Sequence, residues 1–375
     1  MSFYDQVIAL ERQPISETLV RRTAADVARV LAAERVDAQG FLTLLSPAAA
    51  AFLEAMAQRA HALTVQHFGQ VILLYTPLYL ANYCSNFCLY CGFAARNSIR
   101  RDRLTVAEVE EEARLISAIG LRHLLILTGE SRKKSSVEYL ADCVAVLRRY
   151  FTSIVVEVYP LETAEYAQLV AAGVDGLTLY QETYDRAVYD VVHPKGPKRD
   201  YRYRLETPER GADGGLRSVN IGALLGLAEG RREAFLTGLH ADYLQRRYPD
   251  VEVSISLPRI RPHEGIFQPE HTVTDREFVQ ILLAMRLFLP RAGIVISTRE
   301  RAEFRDHLIP LGVTKMSAGS HTEVGGRAHR DAATGQFEIS DTRDVAEIKR
   351  AIEARGYKAI FKDWHPLVEG AMVNG

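Results

Sequence analysis

The stretch ILLYTPLYLANYCSNFCLYCGF, residues 72–93, decides the fold because a buried strand runs directly into a cysteine-rich loop. Its first ten residues are apolar along most of their length, as in a strand that is covered on both faces. Similar runs follow at intervals that each leave room for a helix, at residues 123–129, 153–160, 176–182, 218–226, 251–258, 293–300 and 313–319. Repeated β-then-α units over about 250 residues predict an α/β fold, a (β/α)8 barrel of the TIM type.

Helix start signals lie in the gaps between these runs. Residues 105–108 (TVAE) and 274–277 (TDRE) form capping boxes, and residues 135–138 (SSVE) have the same pattern. Thr207 followed by Pro208 fits an N-cap with proline at the first helical position. A doubly wound open sheet is the main alternative, but a nucleotide-binding version would carry a glycine fingerprint after its first strand, and neither GxGxxG nor GxxxxGK(S/T) occurs.

Three regions are predicted along the chain of 375 residues. Residues 1–70 are Ala-rich and amphipathic, which predicts a helical N-terminal extension. Residues 71–325 would form the barrel, and residues 326–375 a C-terminal extension with a polar loop, a helix and a short tail. This division leaves one barrel as the catalytic or binding unit.

The composition is typical of a globular protein and excludes several classes. Hydrophobic residues make up 47% of the chain and charged residues 25%, which argues against disorder. The net charge is 46 − 47 = −1, so nothing favours a nucleic-acid or anionic-membrane partner. No apolar run approaches the ~20 residues that a membrane span requires, and the N-terminus does not resemble a signal peptide. We therefore expect a cytoplasmic protein with reduced thiols.

Three of the four cysteines lie close together, as Cys84, Cys88 and Cys91 in a Cys-x3-Cys-x2-Cys pattern. Zinc sites usually require four closed ligands, and a second cysteine pair is missing here. Three thiolates on one loop instead suit a four-iron four-sulfur (4Fe-4S) cluster with one iron left open, while buried packing of incidental thiols is the alternative. Cys143 lies on the apolar face of a predicted helix, so we expect a core residue there.

This pattern, with the aromatic Tyr90 before the third cysteine and a position at the end of the first strand, resembles the radical S-adenosyl-L-methionine (SAM) superfamily. The resemblance implies that the amino and carboxylate groups of SAM chelate the open iron. It also implies that one electron from the cluster cleaves SAM to methionine and a 5′-deoxyadenosyl radical.

A longer series resembles the tyrosine lyase (2-iminoacetate synthase) family of thiamine thiazole biosynthesis. In order along the chain it comprises TPLYLANYCSNFCLYCGF, HLLILTGE, VEVYPL, YQETY, YRLETPERG, GALLGL, ISTRE and SAGS. The resemblance implies cleavage of the Cα–Cβ bond of L-tyrosine to 2-iminoacetate (dehydroglycine) and p-cresol. It also implies a thiazole synthase partner that receives the imine and a flavodoxin-type reductant.

Other activities stay open at this point. A hydrogenase-maturation relative carries a second cysteine motif in a C-terminal extension, and the absence of cysteine after Cys143 counts against that relative. A tryptophan lyase lacks the extension too and is harder to exclude. A non-catalytic metal or cluster scaffold is the alternative from another class.

The resemblance also assigns residues to SAM. It places the TGE segment that ends at Glu130 at the SAM amino group, Glu157 or Glu182 near the ribose and Arg204 at the SAM carboxylate. Tyr90 and Phe93 would border the adenine. The alternative for each glutamate is an ordinary surface or helix-capping carboxylate.

The substrate residues rest on the same resemblance. Arg299 and Ser317 match positions that hold the substrate carboxylate, and Arg is suited to bidentate carboxylate binding. Tyr79 and Asn86 are expected to face the same barrel mouth. The alternatives are an ion pair of Arg299 with a neighbouring glutamate (Glu300 or Glu303) and plain barrel packing for Ser317 and Tyr79.

Two basic stretches, residues 96–103 and 193–200, are predicted to be solvated loops or a docking face for an acidic electron donor. His193, His263 and His321 also fall in predicted loops, and we assign none of them as a ligand.

Overall fold

All eight predicted apolar runs form strands in the computed structural model, which describes residues 2–328 and 335–362. The strands are β1 (Val71–Ala81), β2 (His123–Thr128), β3 (Ser153–Glu157), β4 (Gly176–Glu182), β5 (Ser218–Ala223), β6 (Glu252–Ser256), β7 (Gly293–Ile296) and β8 (Lys315–Ser317). Each strand pairs in parallel with the next, and β1 pairs with both β2 and β8. The sheet is therefore closed, and the predicted (β/α)8 barrel is confirmed.

Helices fill the intervals between the strands and precede the barrel. The α-helices are α1 (Phe3–Glu11), α2 (Ile15–Arg21), α3 (Ala24–Ala32), α4 (Ala38–Leu44), α5 (Leu53–Phe68), α6 (Val106–Ala118), α7 (Val137–Leu147), α8 (Thr163–Ala172), α9 (Arg186–Val192), α10 (Tyr201–Leu205), α11 (Thr207–Asp213), α12 (Gly230–Arg247), α13 (Asp275–Phe288), α14 (Ala302–Leu308) and α15 (Val345–Glu353). Short 3-10 helices lie at Pro47–Phe52, Pro197–Arg199 and Ile309–Leu311.

The predicted capping boxes begin helices α6 and α13, at Thr105 and Thr274. Two other helices, α7 and α11, begin one residue away from their predicted positions. The amide of Ser135 donates to the carbonyl of Ser131 in a preceding turn, so Ser136 becomes the N-cap of α7. Helix α11 begins at Thr207 itself, because Glu206 takes the N-cap position.

The N-terminal helices cover one side of the barrel. Phe41 of α4 stacks on Phe288 of α13 with ring centroids 4.6 Å apart, and a Cβ at Gly238 of α12 would lie 2.3 Å from the Phe41 ring. The close approach of α4 to α12 therefore requires glycine at residue 238. No single helix among the described residues has the length and apolar composition to cross a membrane, and Ala38–Leu44 with Pro47–Phe68 meets these criteria only as a pair bent by 74°.

The C-terminal extension adds a ninth strand that the sequence did not predict. β9 (Lys358–Ile360) pairs with the first residues of β1, with Val71 opposite Lys358. The predicted helix of this extension is present as α15. Residues 329–334 and 363–375, which hold parts of the predicted loop and tail, lie outside the described residues.

Alternate residues of the barrel strands point inwards and form a buried cluster with Phe93 of the cysteine loop: Tyr75, Tyr79, Leu125, Leu127, Val155 and Val295. Cys84 and Cys91 pack against this cluster, so the cysteine loop borders the barrel interior. Cys143 lies in α7 with 0% exposure, which confirms the core position expected for it.

Candidate functional site

The cysteine loop follows β1 and is held by backbone contacts on two sides. The amide of Ser85 donates to the carbonyl of Glu130 at 2.8 Å, at the end of β2. On the other side, the amide of Phe87 donates to the carbonyl of Lys195 at 2.9 Å. Gly196 has φ 109°, and a Cβ there would lie 2.4 Å from a side-chain oxygen of the loop. The segment after α9 therefore packs tightly on the loop. Residues 193–200 are mostly exposed, as expected for a solvated loop, but His193 is buried and Lys198 is partly buried.

The three thiols on the loop are free, with Cys88 buried and Cys84 and Cys91 partly exposed. Burial raises the pKa of Cys88 to about 12, with Lys198 opposing the rise and Cys91 and Cys84 adding to it. In the described part of the chain, no three His, Cys, Asp or Glu side chains converge where a single metal ion could bind. Three free thiols on one loop that influence one another fit the iron ligands of a 4Fe-4S cluster.

Glu182 is the centre of a charged group beside this loop. Its carboxylate accepts from Lys198 Nζ at 2.6 Å and from the Arg204 guanidinium at 3.1 Å. Burial raises the pKa of Glu182, but the two cations outweigh burial and hold the pKa below its usual value. Glu182 also has φ 74°, the left-handed region that favours glycine, at an irregularity in the β4–β5 pairing. Such strain is typical of functional sites.

The hydroxyl of Tyr90 lies 2.7 Å from Nε2 of His193. Nδ1 of the same ring lies 2.9 Å from the carbonyl oxygen of Tyr189, which can only accept, so Nδ1 carries the proton. Nε2 is then the acceptor, and Tyr90 donates to it. Burial, followed by the charges of Lys198 and Arg204, lowers the pKa of His193 to about 2, which keeps the ring neutral. His193 thus fixes the orientation of Tyr90.

Glu130 and Asn86 are joined on the same side of the loop. The Asn86 amide donates to the Glu130 carboxylate at 2.5 Å, and its oxygen accepts from the amide of Lys198 at 2.9 Å. Asn86 is 2% exposed and does not line the barrel cavity described next. It therefore belongs to the cysteine loop, and the prediction that it faces the barrel mouth stays a prediction.

A second group of predicted residues lines a cavity of about 50 Å³ inside the barrel mouth: Arg299, Ser317, Tyr79 and Glu157, together with Tyr75 and Tyr180. The Arg299 guanidinium lies 3.4 Å from the centroid of the Phe337 ring. Glu300, the suggested alternative partner of Arg299, binds Arg259 instead. Phe93 packs edge-on against Tyr79 with ring centroids 5.7 Å apart, so it supports the cavity wall.

Burial makes Glu157 an unusual carboxyl group. It raises the pKa of Glu157 to about 7, with Arg299 as the largest opposing influence. The hydroxyl of Ser317 accepts from the amide of Thr298 at 2.9 Å, which fixes its position beside the loop that carries Arg299. The cavity therefore presents a cation, a carboxyl group and a hydroxyl to the same space.

Residues 335–341, which we call the covering segment, close this cavity from above. The side chain of Gln336 accepts from the Tyr79 hydroxyl at 2.8 Å, and its amide nitrogen lies 3.8 Å from the Cys91 sulfur. Its backbone carbonyl accepts from the amide of Gly92 at 3.1 Å. The covering segment therefore contacts both the cysteine loop and the cavity wall.

Sequence reasoning missed several residues of this site: His193, Lys198, Gln336, Phe337, Tyr75 and Tyr180. Tyr180 stands two residues after Thr178 on β4, and both line the barrel interior, so strand alternation could have identified it. Lys198 and Gln336 reach the site through contacts with residues 182 and 79, far away in the chain. Local sequence patterns carry no signal for such contacts.

Comparisons with known proteins agree with this geometry. Residues 78–237 match the model of the radical SAM superfamily, and residues 256–358 match that of the biotin and thiamin synthesis associated domain. The chain superposes on the X-ray structure of the FeFe-hydrogenase maturase HydG from Carboxydothermus hydrogenoformans with a TM-score of 0.84 and 29% identity. That superposition covers 96% of this chain and 82% of the HydG chain.

Two curated proteins are similar over nearly their whole length. The 2-iminoacetate synthase of Salmonella typhimurium strain LT2 is 39% identical over 364 residues, 97% of each chain. The 2-iminoacetate synthase of Escherichia coli strain K12 is 40% identical over the same coverage. With its cysteine loop at the barrel mouth and this level of identity, the chain belongs to the 2-iminoacetate synthase family of radical SAM enzymes.

Proposed function

We propose that this chain is a tyrosine lyase that cleaves the Cα–Cβ bond of L-tyrosine to 2-iminoacetate and p-cresol. The observation that carries the proposal is the full-length identity of 39% and 40% to two 2-iminoacetate synthases. The cavity beside the cysteine loop adds physical support, because Arg299 and Ser317 offer a cation and a hydroxyl to an amino-acid carboxylate there. The 2-iminoacetate would feed the thiazole branch of thiamine biosynthesis, and p-cresol would leave as the by-product.

The cysteine loop would hold a 4Fe-4S cluster through Cys84, Cys88 and Cys91. When bound, the cluster and SAM supply the one-electron chemistry that generates a hydrogen-abstracting radical. The residues of the chain bind, orient and exclude water around these groups. Support for the site comes from three free thiols on one loop, where Cys84 and Cys91 influence the pKa of Cys88.

We assign the residues beside the loop to SAM, as the family resemblance implies. Glu130 would accept from the SAM amino group, and Arg204 would face the SAM carboxylate. Glu182 would face the ribose hydroxyls, since its carboxylate is held in place by Lys198 and Arg204. The ring of Tyr90, fixed by His193, would border the adenine, and the resemblance places Phe93 at the adenine too.

We also propose two protein partners. 2-Iminoacetate hydrolyses readily to glyoxylate, so direct transfer to a thiazole synthase would protect it. A flavodoxin-type reductant would approach the outer face of the cysteine loop, where exposed cations stand: Arg96, Lys134 and Lys195. Lys134 lies 5.0 Å from the Tyr83 ring and Lys195 lies 5.0 Å from the Phe87 ring, so both flank the loop. An acidic carrier would be attracted there.

We further infer that residues 71–325 carry the chemistry and that residues 1–70 and 326–375 support it. The packing of α4 on α13 and the pairing of β9 with β1 support such a role for the two extensions.

The test is anaerobic reconstitution with iron and sulfide, followed by turnover with SAM, a reductant and tyrosine. Wild-type protein is expected to form 5′-deoxyadenosine and p-cresol. Cys88→Ala is expected to lose iron and both products, whereas Cys143→Ala, a buried thiol outside the loop, is the matched control and is expected to keep them. An indole product from tryptophan would identify the sister lyase activity, and bound iron without SAM cleavage would identify a scaffold.

A further inference from the structure

Two opposite charges line the barrel cavity with no ion-pair partner among the described residues, and they suit the two charged groups of an amino acid. Arg299 follows β7 and Glu157 ends β3, so they stand on opposite walls of an eight-stranded barrel. Both side chains line the same cavity of about 50 Å³. Within residues 2–328 and 335–362, neither side chain forms an ion pair, and the Glu157 carboxylate forms no hydrogen bond with a protein group.

The other acidic candidate of the site is already satisfied. Glu182 receives two charged hydrogen bonds, from Lys198 at 2.6 Å and from Arg204 at 3.1 Å, and it does not line the cavity. A charge that is buried without a partner is costly, so Glu157 is the group that gains most from a cationic ligand. The alternative position of Glu157, near the ribose of SAM, does not explain why it shares a cavity with Arg299.

We propose that Glu157 pairs with the ammonium group of the substrate while Arg299 binds its carboxylate, and that Glu157 accepts one ammonium proton before the Cα–Cβ bond is cleaved. The inference rests on the proposed function, because it specifies how tyrosine is bound. In the transfer step one N–H bond of the ammonium breaks and one O–H bond forms on the Glu157 carboxyl group. The substrate then carries a neutral amine, and no electrons change hands.

The surroundings of Glu157 make it the group that titrates near neutral pH. The charged and titratable groups that influence it come from several elements: Arg299, Glu182, Arg204, Lys198, Tyr75, Tyr79 and Tyr180. Burial raises the pKa values of the three tyrosines, and the pKa of Glu182 lies below its usual value because its two cations outweigh burial. With its pKa raised to about 7 by burial, Glu157 can exchange a proton at the working pH of an enzyme.

The binding test compares tyrosine with 3-(4-hydroxyphenyl)propionate, which lacks only the amino group. Equilibrium dialysis with the reconstituted protein gives the preference for tyrosine over this analogue. In wild-type protein we expect a preference on the order of 10- to 100-fold, as for hydrogen bonds to charged groups. Glu157→Gln is expected to lose most of this preference while its affinity for SAM stays the same.

Glu182→Gln serves as the matched carboxyl variant on the SAM side. It is expected to weaken SAM binding and to keep the preference for tyrosine over the analogue. If Glu157→Gln keeps the wild-type preference, or weakens SAM instead, the inference is wrong. Iron content and thermal midpoint of each variant verify that it is folded and carries its cluster.

The pH profile gives an independent reading. In wild-type protein, kcat/KM for tyrosine is expected to fall as the pH drops below about 7, because the Glu157 carboxylate is protonated there. In Glu157→Gln, kcat/KM is expected to be lower than in wild-type protein and to show no fall as the pH drops below about 7. If the fall remains in this variant, the assignment to Glu157 is wrong. Wild-type protein that makes no p-cresol at any pH would instead contradict the proposed function.

Discussion

The buried guanidinium of Arg305 contacts the carboxylate of Asp341, and both side chains are 0% exposed. Arg305 belongs to α14 and also donates to the carbonyl of Ser317 on β8. Asp341 is the last residue of the covering segment, and its amide bonds to the carbonyl of Thr298. One ion pair therefore connects the barrel wall that carries Ser317 to the segment that closes the cavity.

Replacement of Asp341 by Asn is expected to lower the free energy of unfolding by about 3–5 kcal/mol, because it leaves the buried Arg305 charge without its partner. The midpoint of urea denaturation measures this loss. Glu17→Gln, in the exposed pair with Arg21, is the control and is expected to change stability by less than about 1 kcal/mol. Equal effects of the two substitutions would contradict the structural role of the pair.

Lys198→Gln is expected to weaken SAM binding on the order of tenfold, because Glu182 loses one of its two cations. The control is Lys195→Gln on the same segment, since that side chain is exposed and approaches only the Phe87 ring. Calorimetric titration of the reconstituted proteins with SAM measures both affinities, with iron content as a check. If the two variants bind SAM equally well, Glu182 does not face the cofactor.

Gln336→Ala is expected to raise the ratio of 5′-deoxyadenosine to p-cresol. Gln336 bonds to the Tyr79 hydroxyl and contacts Cys91, so its loss opens the space between the cysteine loop and the cavity to water. Glu338→Gln, on the same segment but lining an outer groove, is the matched control. A ratio that is unchanged in Gln336→Ala would mean that this side chain does not seal the site.

Glu233 predicts a pH dependence of stability away from the site. It is 1% exposed, and burial raises its pKa to about 7. The protonated form of Glu233 is therefore favoured in the folded state. The contribution of this group to the free energy of unfolding is fully present at low pH and is lost as the pH rises from about 4.5 through 7. Because each pKa unit corresponds to about 1.4 kcal/mol, the loss is on the order of 3 kcal/mol.

Glu233→Gln is expected to remove this loss, because the amide oxygen can still accept from the amide of Tyr184 as the carboxylate does at 2.7 Å. The variant should exceed the wild type in thermal midpoint more at pH 8 than at pH 5. A difference between the two proteins that does not change with pH would show that Glu233 does not titrate as described.

The barrel could be predicted because each strand leaves a local signal. A strand buried on both faces is apolar along its length. A helix cap such as Thr105 can be recognised from the four residues of its capping box. β9 was missed because it lies outside the eight β-then-α units, and only its pairing with Val71 makes it a strand. The N-cap of α7 is Ser136 and not Ser135, because Ser135 takes part in a preceding turn that the capping pattern does not indicate.

The site was predicted less completely, for a physical reason. The cysteine spacing is local, so the loop could be identified from sequence. Glu157 and Glu182 could not be given different roles from the sequence, because the difference depends on which cations contact each carboxylate. In the structure, Lys198 and Arg204 form ion pairs with Glu182. The bond of Asn86 to Glu130, which holds it in the cysteine loop, also had no signal in the sequence. Such choices are made by tertiary contacts.

The most direct test of the account is the amount of p-cresol formed for each 5′-deoxyadenosine when the reconstituted protein turns over with SAM, reductant and tyrosine. The account predicts that both products appear together in nearly equal amounts, and that neither forms in Cys88→Ala. Cleavage of SAM without p-cresol, or no cleavage of SAM by a protein that carries its full iron complement, would contradict it.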